Sequence, residues 1–523
     1  MPNLALKAFN RAFGRYLRWR VPRLERTRRS PVEFQERWLE YLLVHARHTA
    51  FGRAHGLHER GVRTHAHLRE RVPVRGYDGH APYIKRALDG ERSVLWPGRT
   101  TYFAKSSGTT ADRSKYLPVT GENLRKNHLR GGWDAMSLYY DQRPDADLFT
   151  RKNLVMGGSI QERRPSGAQV GDVSAILLAN FPSVGRPFYT PSFETMLLGD
   201  YEAKLEATAR ESGAADVGMM GGVPNWSMLL MRRILERTGA AHMREVWPHF
   251  RLFTHGGISF APYREQFRDL IGPGPFDYLE IYNASEGYFG LRDDLARDDL
   301  LLLVDSGVYY EFVPQASWGH EHPRAVPLAE VVPGETYGVV VTTNAGLWRY
   351  DLGDAVEFSS VAPPRFRIVG RTQACINTFG EEVMVGNADG ALAEACARHA
   401  CAVTEYTVAP VFIVVPGERG AHEWLVEFDG EGPRGGMAAF AKTLDAALQE
   451  RNSDYAAKRR RGLVLVEPVV HALPRGTFHA WMRERDKLGG QAKVPRLSNS
   501  RQHVEALLAR AGIEPPLPVV GGR

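Results

Sequence analysis

Cysteine is scarce: Cys375, Cys396 and Cys401 are the 3 in a chain of 523 residues. So few cannot form a disulfide framework, and their spacing makes no metal-ligand pattern. A reducing compartment fits this usage, so a cytoplasmic location is expected. Long apolar runs are also missing. No stretch approaches the length needed to cross a bilayer, and the first residues lack the apolar core of a secretory signal. Internal repeats are absent, and biased tracts are confined to short runs such as 459–461 and 430–436. These absences argue against a disulfide-stapled module, a helical membrane protein and a solenoid. What remains is an ordinary globular composition, 43% hydrophobic and 24% charged, long enough for two or three cores.

Excess charge is missing from most of the chain too. The net charge is +7, yet residues 1–30 hold nine bases (Lys7, Arg11, Arg15, Arg18, Arg20, Arg23, Arg26, Arg28, Arg29) and one acid, Glu25. The rest is close to neutral, which argues against a nucleic-acid-binding body. Leu4, Leu6, Phe9, Phe13, Leu17 and Trp19 interleave with these bases at roughly helical spacing. Two readings follow. The preferred one is a helix packed on the main domain with a solvated basic face. The other is a helix making weak contact with a membrane surface or a polyanion.

From residue 31 to about 290, helical patterns alternate with short apolar strands, which predicts α/β layering with an at least partly parallel sheet. Helices are expected at 31–48, 122–140, 195–210, 225–237 and 262–271, with strands at 153–156, 217–220, 251–254 and 278–282. Between 300 and 370 strands follow one another across Gly, Asp and Pro turns, predicting an antiparallel or barrel-like β subdomain. Beyond it a small α+β domain is expected, with a long helix at 435–458 and a strand at 463–470. The expected division is a basic amphipathic helix at 1–30, a large domain at 31–370, a hinge at 371–380 and a small mobile domain at 381–523.

Four segments carry chemistry-bearing side chains. The first sets Ser106, Ser107, Thr109 and Thr110 around Gly108, with Lys105 and Lys115 at its ends. It lies between strands expected at 101–104 and 116–120. Backbone N–H groups around a glycine, hydroxyl donors and lysine charge suit a polyphosphate. The glycine spacing is not that of a Walker A loop, and a strand rather than a helix follows. A solvated Ser/Thr hairpin is the alternative. The second segment, 281–290, offers Glu286 in a turn beside Tyr282. Magnesium takes one or two such acids beside phosphate, and an aromatic ring can lie on a purine; a surface acid in a turn is the plain alternative. The third, 347–354, places Asp354 after Gly353, where it can accept from ribose hydroxyls or simply shape a turn. The fourth, 489–496, puts Lys493 after flexible glycines, either to reach a phosphate or to face solvent.

Taken in order, these motifs resemble the Gretchen Hagen acyl-acid-amido synthetases, an outlying branch of the adenylate-forming superfamily. The resemblance starts at Thr49-Ala50-Phe51-Gly52 and includes Arg71-Val72-Pro73-Val74, Pro82-Tyr83-Ile84 and Ser106-Ser107-Gly108-Thr109-Thr110. It continues through Gly222-Val223-Pro224-Asn225-Trp226, residues 282–286, 349–354 and Asn452-Ser453-Asp454-Tyr455, and ends at Lys493-Val494-Pro495-Arg496. It implies that Ser106, Ser107 and Thr109 cradle ATP phosphates and that Tyr282, Ala284 and Ser285 flank the adenine and the acyl carboxylate. It further implies Glu286 as the Mg²⁺ ligand, Asp354 on the ribose and Lys493 at the α-phosphate. Asn283 stands where plant members carry a small residue.

The activity implied is a two-step ligase: a carboxylic acid is adenylated by ATP, then passed to the amine of an amino acid. His255 is a candidate base for the second step or an oriented structural histidine. Trp133, Met156, Met219, Met220, Val223, Trp226 and Tyr309 are candidates for the acyl pocket or for plain core. Arg125, Lys126 and Arg130 could meet the acid's carboxylate, with two of the three expected in solvent. The rival readings are a thioester-forming acyl-CoA ligase, a non-catalytic basic-tailed binder of membrane or nucleic acid, and a decayed enzyme.

Overall fold

The computed structural model describes residues 4–106, 115–155, 157–158, 160–181, 183–372, 375–376, 378–379, 381, 383–413, 419–459, 465–485 and 493–514. Two compact units emerge: Met1–Gly257 with Leu270–Ile368, and Ile258–Asp269 with Val369–Arg523. The short segment 258–269 thus clusters with the C-terminal residues, which its position inside the expected large domain did not suggest.

In the first unit, α1 (Leu4–Arg18), α2 (Val21–Arg29) and α3 (Pro31–Ala46) lead into two sheets. The strands are β1 (Tyr102–Ser106), β2 (Lys115–Val119), β3 (Lys152–Val155), β4 (Ile160–Arg163), β5 (Gln169–Gly171), β6 (Tyr189–Thr190), β7 (Val217–Gly222) and β8 (Leu252–His255). They continue with β9 (Asp277–Ala284), β10 (Gly287–Leu291), β11 (Leu300–Leu302), β12 (Val308–Pro314), β13 (Val326–Pro327), β14 (Thr336–Thr343), β15 (Tyr350–Val361) and β16 (Pro364–Arg371). A four-stranded sheet has the order β2-β1-β5-β4. The other twelve strands form one sheet, β13-β12-β14-β15-β16-β11-β10-β9-β8-β7-β3-β6.

That large sheet changes character at β9. On one side β8 pairs with it in parallel, and β8-β7-β3-β6 continue parallel. On the other side β10 pairs with it antiparallel, as do β10 with β11 and β12 with β14. The strands between 300 and 370 are therefore continuous with the α/β half rather than a separate sheet. Tyr282, Phe289, Leu302, Tyr310, Phe312, Val339, Val356, Phe358 and Phe366 close inward on one another in the antiparallel half. Side chains two apart along a strand share a face, which brings these residues together. Ala104, Leu117 and Val119 of β1 and β2 belong to the same buried cluster, so the small sheet packs on this core.

Three of the sequence motifs meet at one place. Arg349, buried with φ 43°, donates from Nη2 and Nε to Glu311 at 2.8–3.1 Å and from Nη1 to the Val72 carbonyl at 2.8 Å. Its backbone carbonyl accepts from Arg75 N, and Asp351 N donates to Arg75 O. Trp348 stacks on Phe51 at 5.8 Å, and its carbonyl lies 3.0 Å from His80 Nε2. The 49–52 and 71–74 motifs thus brace the start of β15.

The second unit holds β17 (Cys375–Ile376), β18 (Val383–Met384), β19 (Val403–Ile413), β20 (Arg419–Phe428) and β21 (Val469–Leu473). β19 and β20 are antiparallel, and β20 and β21 are parallel. Helices Val385–Arg398 and Met437–Arg451 cover this sheet through Leu392, Phe440 and Leu448.

Several elements differ from the pattern-based reading, each with a local cause. The 195–210 helix is split, because Asp200 accepts from Ala203 N and starts Tyr201–Gly213 afresh. The 435–458 helix is likewise interrupted by Asn452, which accepts from Tyr455 N. The described strand there is Val469–Leu473, the expected residues 463–464 lying outside the described residues, and helix Thr477–Glu484 was not anticipated.

Glu311→Ala leaves the Arg349 guanidinium buried without its carboxylate. It is expected to lower stability by about 3–5 kcal/mol, read from urea denaturation. The exposed pair Arg37–Glu33, broken by Glu33→Ala, is expected to cost under about 1 kcal/mol.

Candidate functional site

The site is built on β9, the strand where parallel pairing gives way to antiparallel. In open α/β sheets, ligands gather at the carboxyl ends of such strands. β9 ends at Ala284, the chain turns through Ser285 and Glu286, and β10 returns with Gly287 opposite Ala284. Ser285 is buried, while Ala284 and Glu286 are half-buried. A Cβ on Gly287 would lie 2.7 Å from the Phe289 ring and 3.1 Å from Asn127 Oδ1, so only glycine closes this turn so tightly.

Asp354 comes to this strand from far along the chain. The Tyr282 hydroxyl donates to Asp354 Oδ2 at 2.5 Å, across 72 positions. The Tyr282 ring is taken up by the core, 5.2 Å from Phe289 and 6.0 Å from Phe366. Its hydroxyl reaches Asp354. Asp354 is oriented by the turn before it: Gly353 adopts φ 71° and its N–H donates to Asp351 Oδ1 at 2.8 Å. That left-handed step suits glycine and aims the next side chain.

A second element holds the turn. The helical stretch after β2 contains a π-helical segment, Leu124–His128, of the kind often found at functional sites. Buried there, Asn127 accepts from Tyr288 N at 2.7 Å and donates to the carbonyls of Tyr288 and Ser306 at 3.1 and 3.0 Å. The helix that follows the hydroxyl-rich loop is thereby fastened to the Ser285–Glu286 hairpin. No sequence signal distinguished Asn127 from a solvated helix polar residue.

The neighbouring His128 is also buried. Burial pulls its imidazole down to about 4, with the Asn283 side chain acting in the opposite sense. His255 ends β8, in register with Gly222 of β7 and Glu280 of β9. Its buried ring stacks 5.4 Å from Phe253. It therefore stands at the carboxyl ends of the parallel strands, one strand from Tyr282.

The remaining expected residues are placed as follows. Ser106 is the last residue of β1, while Ser107 and Thr109 lie outside the described residues, as does Met156. Lys493 is exposed in the second unit. The chain just after it is firmly held: Thr407 Oγ1 donates to Pro495 O at 2.6 Å and Val408 N to Arg496 O at 2.8 Å. Arg496 anchors this stretch, pairing with Glu405 at 2.6 Å, donating to the Tyr263 hydroxyl at 2.6 Å and lying over the Tyr406 ring. Sequence reasoning named Arg496 only as part of a motif; its anchoring role depends on partners 91 and 233 positions away.

Among the acyl-pocket candidates, Tyr309 packs with Trp348 in the helical core, which makes it structural. Met219 and Trp133 share another cluster with Tyr288. Arg125 and Lys126 are exposed, and Arg130 is held by Asp305 at 2.8 Å. Among the described residues, no group of three or more His, Cys, Asp and Glu side chains could cage a metal ion, and no helix is long and apolar enough to cross a membrane.

Comparison with known proteins gives concordant matches. The profile described as the GH3 family N-terminal domain matches residues 20–212 and 214–276, the GH3 family central domain 301–371, and the GH3 family C-terminal domain 386–502. The indole-3-acetic acid-amido synthetase GH3.4 of Arabidopsis thaliana is 22% identical, over 95% of this chain and 94% of that one. Among solved structures, the AtGH3.15 acyl acid amido synthetase in complex with 2,4-DB has a TM-score of 0.75 at 17% identity, covering 94% and 95% of the two chains. A 2-hydroxyisobutyryl-CoA ligase in the postadenylation state, in complex with R3-HIB-AMP, has a TM-score of 0.59 at 12% identity, covering 93% and 94%. These likenesses establish the adenylate-forming fold.

His128 binds its proton less readily folded than unfolded, so stability is fullest above the ordinary value of 6.5 and falls as pH drops toward 4. The loss over that window is expected to be about 3 kcal/mol. Urea denaturation at both pH limits checks this, and His128→Gln should remove that part of the pH dependence.

Proposed function

The chain belongs to the GH3 family, and from that premise we propose that it is an ATP-dependent acyl-acid-amido synthetase. In the first step a carboxylate attacks the α-phosphorus of ATP and pyrophosphate leaves. In the second, the amine of an amino acid opens the acyl–phosphate anhydride and AMP departs. The observation that carries this reading is the contact between Tyr282 and Asp354 at the changeover strand. It puts a carboxylate suited to ribose hydroxyls beside a turn carrying Ser285 and Glu286.

The roles follow from the chemistry of each group. Ser106, Ser107 and Thr109 are assigned to the phosphates, as donors on a loop between two strands. Tyr282, Ala284 and Ser285 flank the adenine and the acyl carboxylate, and the Tyr282 hydroxyl steadies Asp354. Both reactants of the first step are anions, so the main task of the protein is to hold them in line and to meet developing charge with fixed donors. Lys493, carried by the second unit over 381–523 beyond a hinge at 371–380, is assigned to the α-phosphate. His255 is the candidate base that takes a proton from the attacking amine.

Magnesium fits the donor set as a partner of ATP rather than as a caged ion. The turn carries one carboxylate, Glu286, and Mg²⁺ takes most of its remaining ligands from phosphate and water. When bound it would neutralise phosphate charge; Glu286 would hold it. The substrates are small molecules, and the cysteine usage favours a reducing, cytoplasmic setting.

Lys493→Ala is expected to slow acid-dependent ATP–pyrophosphate exchange by roughly a hundred- to a thousand-fold with an unchanged melting temperature, since the side chain is exposed. Unchanged exchange would remove Lys493 from the chemistry. Asp354→Ala should raise the KM for ATP with little change in KM for the acid. Exchange screened over aryl, indole and fatty acids tests the reading as a whole. Supplying amino acids or CoA to the active mixtures decides the acceptor, and a CoA thioester without amide would overturn the assignment.

A further inference from the structure

The nine bases of the first thirty residues are not one population. Arg20 pairs with Asp134 at 2.5 Å, Arg23 with Asp305 at 2.7 Å, and Arg28 with Asp293 and Glu25. These side chains fasten α2 and its approach to the body. No acid among the described residues pairs with Lys7, Arg11, Arg15 or Arg18. Those four recur at intervals of four, four and three, and so form a single stripe along α1.

The orientation of α1 is fixed by its opposite face. Asn10 donates to Ala146 O at 2.8 Å and accepts from the Tyr140 hydroxyl at 2.8 Å. Gly14 lies so close to the Tyr140 ring that a Cβ would stand 2.9 Å from it. Leu17 is buried, and Phe13 meets Phe149 edge-on at 4.7 Å. With Asn10, Phe13, Gly14 and Leu17 docked, the far side of the helix must look outward. It does: Leu4 is 83% exposed, Tyr16 53% and Trp19 79%, beside the basic stripe. The hydrogen bond from Trp19 N to Arg15 O continues the helical turn, so Trp19 stays on that side.

An outward apolar edge with tryptophan and tyrosine, flanked by unneutralised bases, is the pattern of a helix that lies in a lipid headgroup layer. A nucleic acid or other polyanion would use the charge but gain little from exposed Leu4 and Trp19. The remainder of the chain is near neutral overall. We propose that the outer face of α1 docks reversibly on an anionic lipid bilayer, with Leu4, Tyr16 and Trp19 entering the headgroup region and Lys7, Arg11, Arg15 and Arg18 meeting lipid phosphates. The contact leaves the body of the enzyme outside the membrane, and it does not depend on the reaction assigned above.

The test uses the full-length protein and sedimentation with vesicles of phosphatidylcholine alone or with about one-third phosphatidylglycerol. Binding is expected to the anionic vesicles only, weakening as salt is raised. Arg11→Gln/Arg15→Gln/Arg18→Gln should lower the partition on the order of a hundred-fold, roughly five-fold per base. Leu4→Ser/Tyr16→Ser/Trp19→Ser should also lower it, while circular dichroism and pyrophosphate exchange stay as in the parent, because all six positions lie outside the docked face. Failure to bind anionic vesicles at low salt overturns the proposal. Binding that the serine variant leaves intact would make it a bare polyanion contact. A dimer, seen by light scattering and dissolved by the serine variant, would assign the face to a second copy of the chain.

Discussion

A buried guanidinium organises the candidate-site side of the first unit. Arg349 sits in a left-handed backbone conformation that a non-glycine residue adopts only at a cost. The surroundings offset that cost at each polar group: Glu311 takes the side chain, Val72 O and Arg75 N take their share, and Thr342 Oγ1 accepts from its N–H. His65 adds a second contact to the same carboxylate, 2.9 Å away. The arrangement ties an N-terminal segment to β12 and to the start of β15. Five residues later β15 delivers Asp354. The strand segment that carries Asp354 is thus anchored by a buried ion pair five residues away.

The second organising feature is the seam in the large sheet. Parallel strands leave their carboxyl ends aligned on one side, and antiparallel strands supply a hydrophobic interior on the other. Tyr282 belongs to both regimes. Its ring is packed with Phe289 and Phe366, while its hydroxyl reaches out to Asp354. Asn127 closes the arrangement by binding the backbone of Tyr288 on both edges. The π-helical turn after β2 and the Ser285–Glu286 hairpin are therefore joined by direct contacts.

Much of the site was legible in order along the chain. Tyr282 lies in β9, Glu286 in the turn that follows it and Asp354 in β15, and the sequence pattern located β9 to within two residues. The supporting shell was not legible. Asn127, Arg349 and Arg496 are polar residues whose value lies in partners 161, 38 and 91 or more positions away, and nothing in local composition marks such pairs. The 49–52 and 71–74 motifs carried the family resemblance, yet contacts alone reveal that they brace β15.

Local chemistry was enough to fix the alternation of helices and strands, the glycine turns and the residue types able to meet a polyphosphate and a carboxylic acid, because each depends on neighbours within a few positions. Tertiary structure alone decided that the two β regions are one sheet, that segment 258–269 clusters with the C-terminal unit, and which face of α1 looks outward. The apolar residues of α1 recur at helical spacing on both of its faces. Only the docking of Asn10, Gly14 and Leu17 against the body separates those that are buried from those left in water, since burial is a property of the partner surface as much as of the helix.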